Sequence, residues 1–147
     1  MPVTAFDMIQ RIEKVIADIP KETENIIKRN EQEILDLNRE RQLYDKGIDS
    51  NSRPLLPYRP ATIAIKRSKG EIYNRTTLFD LGSFYKGFKI KYNGLSKPFN
   101  IFSTDSKSTD LIDKYGDIFG LTKDNEKYLN YEIIKPELEE FIKKNIG

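Results

Sequence analysis

The sequence predicts an α+β domain with N-terminal helices, a small mainly antiparallel sheet, and a C-terminal helix packed on the sheet. Three observations predict it. Apolar residues recur at helical spacing through the leading segment, apolar and polar residues alternate from Phe84 to Tyr92 with a second apolar run from Phe99 to Phe102, and a last helical pattern opens at Pro136. Residues 1–147 are read as a single domain, with a helical segment over 1–46 and a sheet-containing body over 47–147.

Thr4, with Asp7 three residues on, matches a capping-box start, and Ile9, Ile12, Val15, Ile16 and Ile19 follow at helical spacing. This predicts a helix over 5–18, interrupted by Pro20. A second helix is expected from Glu22 to Tyr44, ending before Gly47, with Ile26, Ile27, Ile34, Leu37, Arg41 and Tyr44 along one side. Its other faces are dense with charged and amide groups, which fits either a surface helix or one that packs on a single partner.

Residues 45–60 hold Gly47, Pro54, Pro57 and Pro60 around a polar run, so a loop is expected. Asp45 and Asp49 lack the third alternating ligand and closing Glu of a calcium-binding hand, and a plain turn is preferred. Pro60 suits the first turn of a short helix through Ile65 that stops at Gly70. Lys66, Arg67 and Lys69 cluster at its C-terminal end, where the helix dipole favours cations; phosphate binding is the functional alternative.

Residues 76–92 are the densest apolar and aromatic stretch, with Leu78, Phe79 and Leu81 around Asp80 before Gly82. From Phe84 the even positions read Phe84, Lys86, Phe88, Ile90, Tyr92, the pattern of a strand with one buried face and Lys89 and Lys91 on the other. Asn93-Gly94, lengthened by Pro98, signals a hairpin whose return strand ends near Ser103. Ser108 or Thr109 is expected to cap a short helix closed by Gly116, and Thr122 to cap residues 123–130. Tyr128 to Ile134 fits neither the helical nor the strand period, and Pro136 opens the last helix through Leu138, Phe141, Ile142 and Ile146.

With no histidine and no cysteine among 147 residues, a histidine base, a thiolate nucleophile, disulfides and histidine- or cysteine-ligated zinc are excluded. No catalytic constellation is found, and neither an enzymatic activity nor a cofactor is predicted. No apolar run is long enough to cross a membrane, and the first residues lack the pattern of a signal peptide, so synthesis in the cytoplasm is expected. The net charge of +2 conceals segregation: the first 50 residues carry 8 basic and 11 acidic side chains, the next 50 carry 10 and 2, and the remainder 7 and 10. A basic middle between acidic flanks serves a nucleic-acid surface, contact between oppositely charged faces of neighbouring subunits, or balance within the fold.

Short motifs carry little. Ser83 and Lys86 match the S-x-x-K of serine acyl enzymes, but the companion K-T-G is absent and Lys86 falls in a predicted strand. Gly82 and Gly87 have the spacing of a phosphate loop, but Phe88-Lys89 stands where Lys followed by Ser or Thr is needed. Lys86-Gly87-Phe88 opens like an RNA-recognition strand, then departs at Lys89 and Ile90.

In order and spacing, residues 45–147 resemble the phage virion-morphogenesis and tail-completion proteins, small parts at the head-to-tail junction. The matching residues are Gly47 with Asp49-Ser50-Asn51, Pro60-Ala61-Thr62 through Lys69-Gly70, Leu78 to Phe84 around Gly82, Tyr115-Gly116 or Phe119-Gly120, and a terminal helix. Leu81 stands where the family has Thr, and the family's later His is missing. The resemblance implies a structural virion protein of the neck or tail, a homo-oligomeric ring that joins head and tail and meets other phage head, neck or tail proteins. Lys66, Arg67, Lys69, Lys86, Lys89 and Lys91 are then candidates to face genomic DNA or a neighbouring subunit. A nucleic-acid-binding module using Lys86, Lys89, Lys91 and Tyr92 on the strand over 84–92 is the alternative.

Overall fold

In the computed structural model, which describes residues 3–80, 82–93 and 99–147, the chain opens with helix α1 (Ala5–Arg29). The capping box forms as predicted: Thr4 Oγ1 accepts from the Asp7 N–H and the Asp7 carboxylate from the Thr4 N–H, each at 3.1 Å. The helix does not stop at Pro20. Proline removes the N–H that would bond the Ile16 carbonyl, at a cost of about 3 kcal/mol, but Ile16 is exposed and water can reach that carbonyl. Val15 before the proline and Ile26 and Ile27 after it are all buried, so packing on both flanks carries the helix through.

The break comes instead at Asn30 (φ −105°, ψ 19°), after which α2 (Glu31–Asp36) runs directly into a π-helical segment, Leu37–Tyr44. Its wider turn is closed by the Asp45 N–H donating to Glu40 O at 2.8 Å. Widening changes which side chains face inward. Asn38, Gln42 and Leu43 are buried, whereas Arg41, which a 3.6-residue period places on the apolar side, is exposed and lies 4.4 Å over the Tyr128 ring.

The loop that follows is pinned by a bridge between Ile48 and Pro54, and α3 (Pro60–Ser68) starts at its proline and gives way to Gly70 at φ 71°. The expected strand start at Phe84 is a helical turn, α4 (Ser83–Lys86), entered through Gly82 at φ 85°. Phe84 and Phe88 are four apart, a spacing that satisfies strand alternation and helical recurrence alike. Their rings meet edge-on at 5.1 Å, and Tyr85 is buried beside Phe84, which alternation forbids and a helical turn permits. The sheet is a two-stranded antiparallel pair, β1 (Phe88–Tyr92) and β2 (Phe99–Ser103), with Ile90 opposite Ile101. Gly94 and Pro98 of the expected hairpin turn, and Leu81 of the apolar knot, lie outside the described residues.

Helix α5 (Ser108–Tyr115) closes at Gly116 (φ 77°), but neither Ser108 nor Thr109 caps it: the Ser108 hydroxyl donates to Ser103 O and Asp105 O instead. Thr122 does cap α6 (Lys123–Tyr128), accepting from the Asn125 N–H at 3.2 Å. The stretch that fitted neither period is a second π-helical segment, Leu129–Ile134, which leads without a turn into α7 (Lys135–Ile146). The last helix takes α1 and this π turn as its main neighbours rather than the sheet, with Glu137 bonded to Arg29 at 3.2 Å and to Asn30 at 2.7 Å. The sheet packs on α2, and one apolar cluster joins Ile26, Ile34, Leu43, Phe88, Ile118 and Leu129. Among the described residues no helix is long and apolar enough to cross a membrane.

Candidate interaction surfaces

The six predicted basic residues do not form one patch. Lys66 pairs with Glu71 at 3.4 Å and lies 4.8 Å over the Tyr58 ring, while Arg67 lies 4.6 Å over the Tyr73 ring. Lys66 and Lys69 border a cavity of about 470 Å³ whose wall also carries Lys107, itself 3.7 Å from Asp80. Lys86 is exposed on α4, and Lys89 and Lys91 stand on the outer face of the hairpin, opposite Phe102 and Asn100. Tyr92 does not join them. It has the opposite strand parity, lies under Lys28 at 5.1 Å, and its hydroxyl is buried without a partner among the described residues.

Because α4 is helical, Lys86 does sit one turn after Ser83, the spacing that a strand would have denied. The Ser83 hydroxyl, however, donates to the Asp105 carboxylate at 2.8 Å. The Lys107 backbone N–H and this hydroxyl hold Asp105 below the usual carboxylate range, which makes it a poor proton acceptor. Among the described residues no cluster of acidic side chains has the makings of a metal site.

Two further features mark the surface. The first is the N-terminal half of α1, where Phe6, Ile9, Ile12 and Ile16 form a stripe at helical spacing that stays exposed, Phe6 by 67% and Ile16 by 61%. Only the exposure is new, since the stripe itself is legible in the sequence.

The second is a groove of about 1020 Å³ between β2, α5, the turn at 117–121 and α6. Its apolar lining includes Ile101, Ile112, Phe119, Leu121, Leu129 and Ile134. The turn is held by two buried amides of the first π segment. Asn38 Nδ2 donates to Ile118 O at 3.0 Å and Oδ1 accepts from the Gly120 N–H at 2.9 Å; Gln42 Nε2 donates to Gly120 O at 2.8 Å and Oε1 accepts from the Thr122 N–H at 2.9 Å. A run of backbone that would otherwise have unpaired groups is thereby satisfied as a strand neighbour would satisfy it.

Among the described residues β2 has no second strand beside it. The Thr104 N–H donates to Gly87 O at 2.9 Å, which sets the phase of the ladder: Asn100 and Phe102 bond toward β1, and the N–H and C=O groups of Phe99 and Ile101 point away from it, toward the groove. Ile101 is only 6% exposed, yet among the described residues neither of its backbone groups has a partner.

No family model matches the chain, and no curated protein or solved structure matches it either. The described residues define an α+β domain whose surface offers an apolar helical stripe and an open sheet edge.

Proposed function

We propose that the chain is a structural subunit of a closed ring in the neck or tail of a tailed bacteriophage, where it joins head to tail within the virion. The observation that carries this reading is the apolar stripe of α1, whose Phe6, Ile9, Ile12 and Ile16 are left in water by the chain's own fold. Each fully buried side chain of this kind is worth roughly 1.5–3 kcal/mol, so covering the stripe with a neighbouring copy stabilises an assembly. Supporting it is the resemblance in element order to tail-completion proteins, together with charge segregation that lets unlike faces of adjacent subunits meet. Lys89 and Lys91, exposed on the hairpin, are then placed to meet DNA or an acidic neighbouring face.

Light scattering of the purified protein, with and without portal and tail partners, together with particle images, tests the reading. Ring particles are expected. A strict monomer that also ignores those partners overturns it.

A second reading is a nucleic-acid-binding module, favoured by the exposure of Lys86, Lys89 and Lys91. It requires binding that weakens steeply with salt and is lost when the three lysines become Glu. It proceeds without base stacking on Tyr92, whose ring is half-buried beneath Lys28.

A further inference from the structure

We propose that the groove beside β2 receives an extended strand from a partner protein, which adds to the sheet as a third strand. Such a partner is expected whether or not the chain assembles into a ring. The backbone is the first reason. The outward N–H and C=O groups of Phe99 and Ile101 have no protein partner among the described residues, and an added strand is a ligand that satisfies such a row.

Size is the second reason. Five residues of strand span about 17 Å and, at a strand spacing of about 4.8 Å and a sheet thickness of about 10 Å, occupy about 800 Å³. The groove holds about 1020 Å³, room for one strand of this length but not for a second sheet.

Strand parity then fixes the partner's chemistry. The residue paired with Ile101 projects on the same side as Ile101, toward the apolar lining made by Phe119, Leu121 and Leu129, so alternate partner residues are apolar. The intervening residues project on the side of Asn100 and Phe102, the latter 40% exposed. The charged lining residues are Lys91, Lys123 and Glu126, a cationic excess that selects Asp or Glu at those intervening positions. The described extended segments of the chain itself are committed elsewhere: Leu55 is buried in the loop before α3, and Thr76 and Thr77 are buried and hydrogen-bonded. With these segments committed, the occupant assigned is a strand of a different protein; a dimer in light scattering that Phe99→Pro dissociates would overturn this.

Selection from a random-peptide display library with the whole protein as bait, followed by amide hydrogen exchange with the selected synthetic peptides, tests the proposal. The expected binders alternate apolar with acidic residues and slow exchange at Phe99 and Ile101 at least tenfold, roughly, while Asn100 and Phe102, already bonded to β1, change little. N-methylation of the peptide amides that face β2 abolishes binding, and methylation of the alternate amides does not. Phe99→Pro removes an outward N–H at the first residue of the strand without touching the ladder to β1, and weakens binding about fivefold or more. Lys123→Glu, on the surface of α6, weakens acid-bearing peptides by a similar factor and serves if the proline variant does not fold. Failure to select any peptide, binders that leave exchange at Phe99 and Ile101 unchanged, or slow exchange at these two amides in the free protein each overturns the proposal.

Discussion

Gln42 and Gly120, 78 positions apart in sequence, are joined by a hydrogen bond of 2.8 Å from the side-chain amide to the backbone carbonyl. The other end of the same amide accepts from the Thr122 N–H at 2.9 Å and from Asn125 Nδ2 at 2.8 Å, so one side chain fixes both the wall of the groove and the start of α6.

Replacing Gln42 by Ala is expected to strand the Gly120 carbonyl and the Thr122 N–H in a buried setting. Each unsatisfied group costs about 1–3 kcal/mol, so a loss of about 2–4 kcal/mol is expected in urea unfolding. Arg41→Ala, one residue earlier but exposed, is expected to lose less than about 1 kcal/mol. Equal losses in the two variants would show that the amide clamp contributes nothing particular.

Burial pushes the Tyr85 phenol above its ordinary value of 10.0, and its hydroxyl donates to the Thr77 carbonyl. A raised pKa means that the folded state holds the proton longer than the unfolded state does. The associated stability is complete below pH about 10 and declines as pH rises from there toward the folded value. Unfolding free energy measured across this range is expected to fall more steeply for the native protein than for Tyr85→Phe. Parallel curves would remove Tyr85 as the cause.

Pro20→Ala restores the missing N–H opposite Ile16 O and relieves the ring clash in α1. Because an interior proline costs about 3 kcal/mol and partial compensation by water is expected at the exposed Ile16, the gain should be about 1–3 kcal/mol. Thermal unfolding reads it directly. A lowered melting temperature would mean that α1 packs on α7 only with the proline in place.

Ile9→Asp with Ile16→Asp separates assembly from folding. Both positions are exposed, so a change within about 1 kcal/mol is expected for the fold, whereas the stripe of α1 loses two of its apolar members. If neighbouring copies cover that stripe, the molar mass by light scattering drops to that of one chain. An unchanged oligomer would place the contact elsewhere.

Local chemistry made much of this fold legible. The capping box at Thr4, the proline start of α3, the glycines at 70 and 116, the Thr122 cap and the paired strands around Ile90 and Ile101 are all set by residues within a few positions of each other. What stayed hidden depended on distant partners or ambiguous periods. Phe84 and Phe88 satisfy two periods at once, and only the burial of Tyr85 separates them. Pro20 is tolerated because of packing on either side of it, which its neighbours in sequence do not reveal. The groove depends on Asn38 reaching Ile118 O across 80 positions, and on the phase of a ladder that only the Thr104 bond to Gly87 O sets. The basic residues were individually visible, but their division between α3, α4 and the hairpin follows from tertiary placement alone.

The π turn at 37–44 gives this segment a tolerance of length that the flanking helices lack. Such a turn is an α-helical path with one residue inserted. Loss of a single residue there would let the segment close as an ordinary α-helix and leave the chain beyond it close to its present heading. In α1 or α7 the same loss rotates everything beyond it by about 100° around the axis. When this chain is set beside others, a one-residue difference within 37–44 is therefore one that the turn can take up, whereas the same difference in α1 marks a rebuilt core.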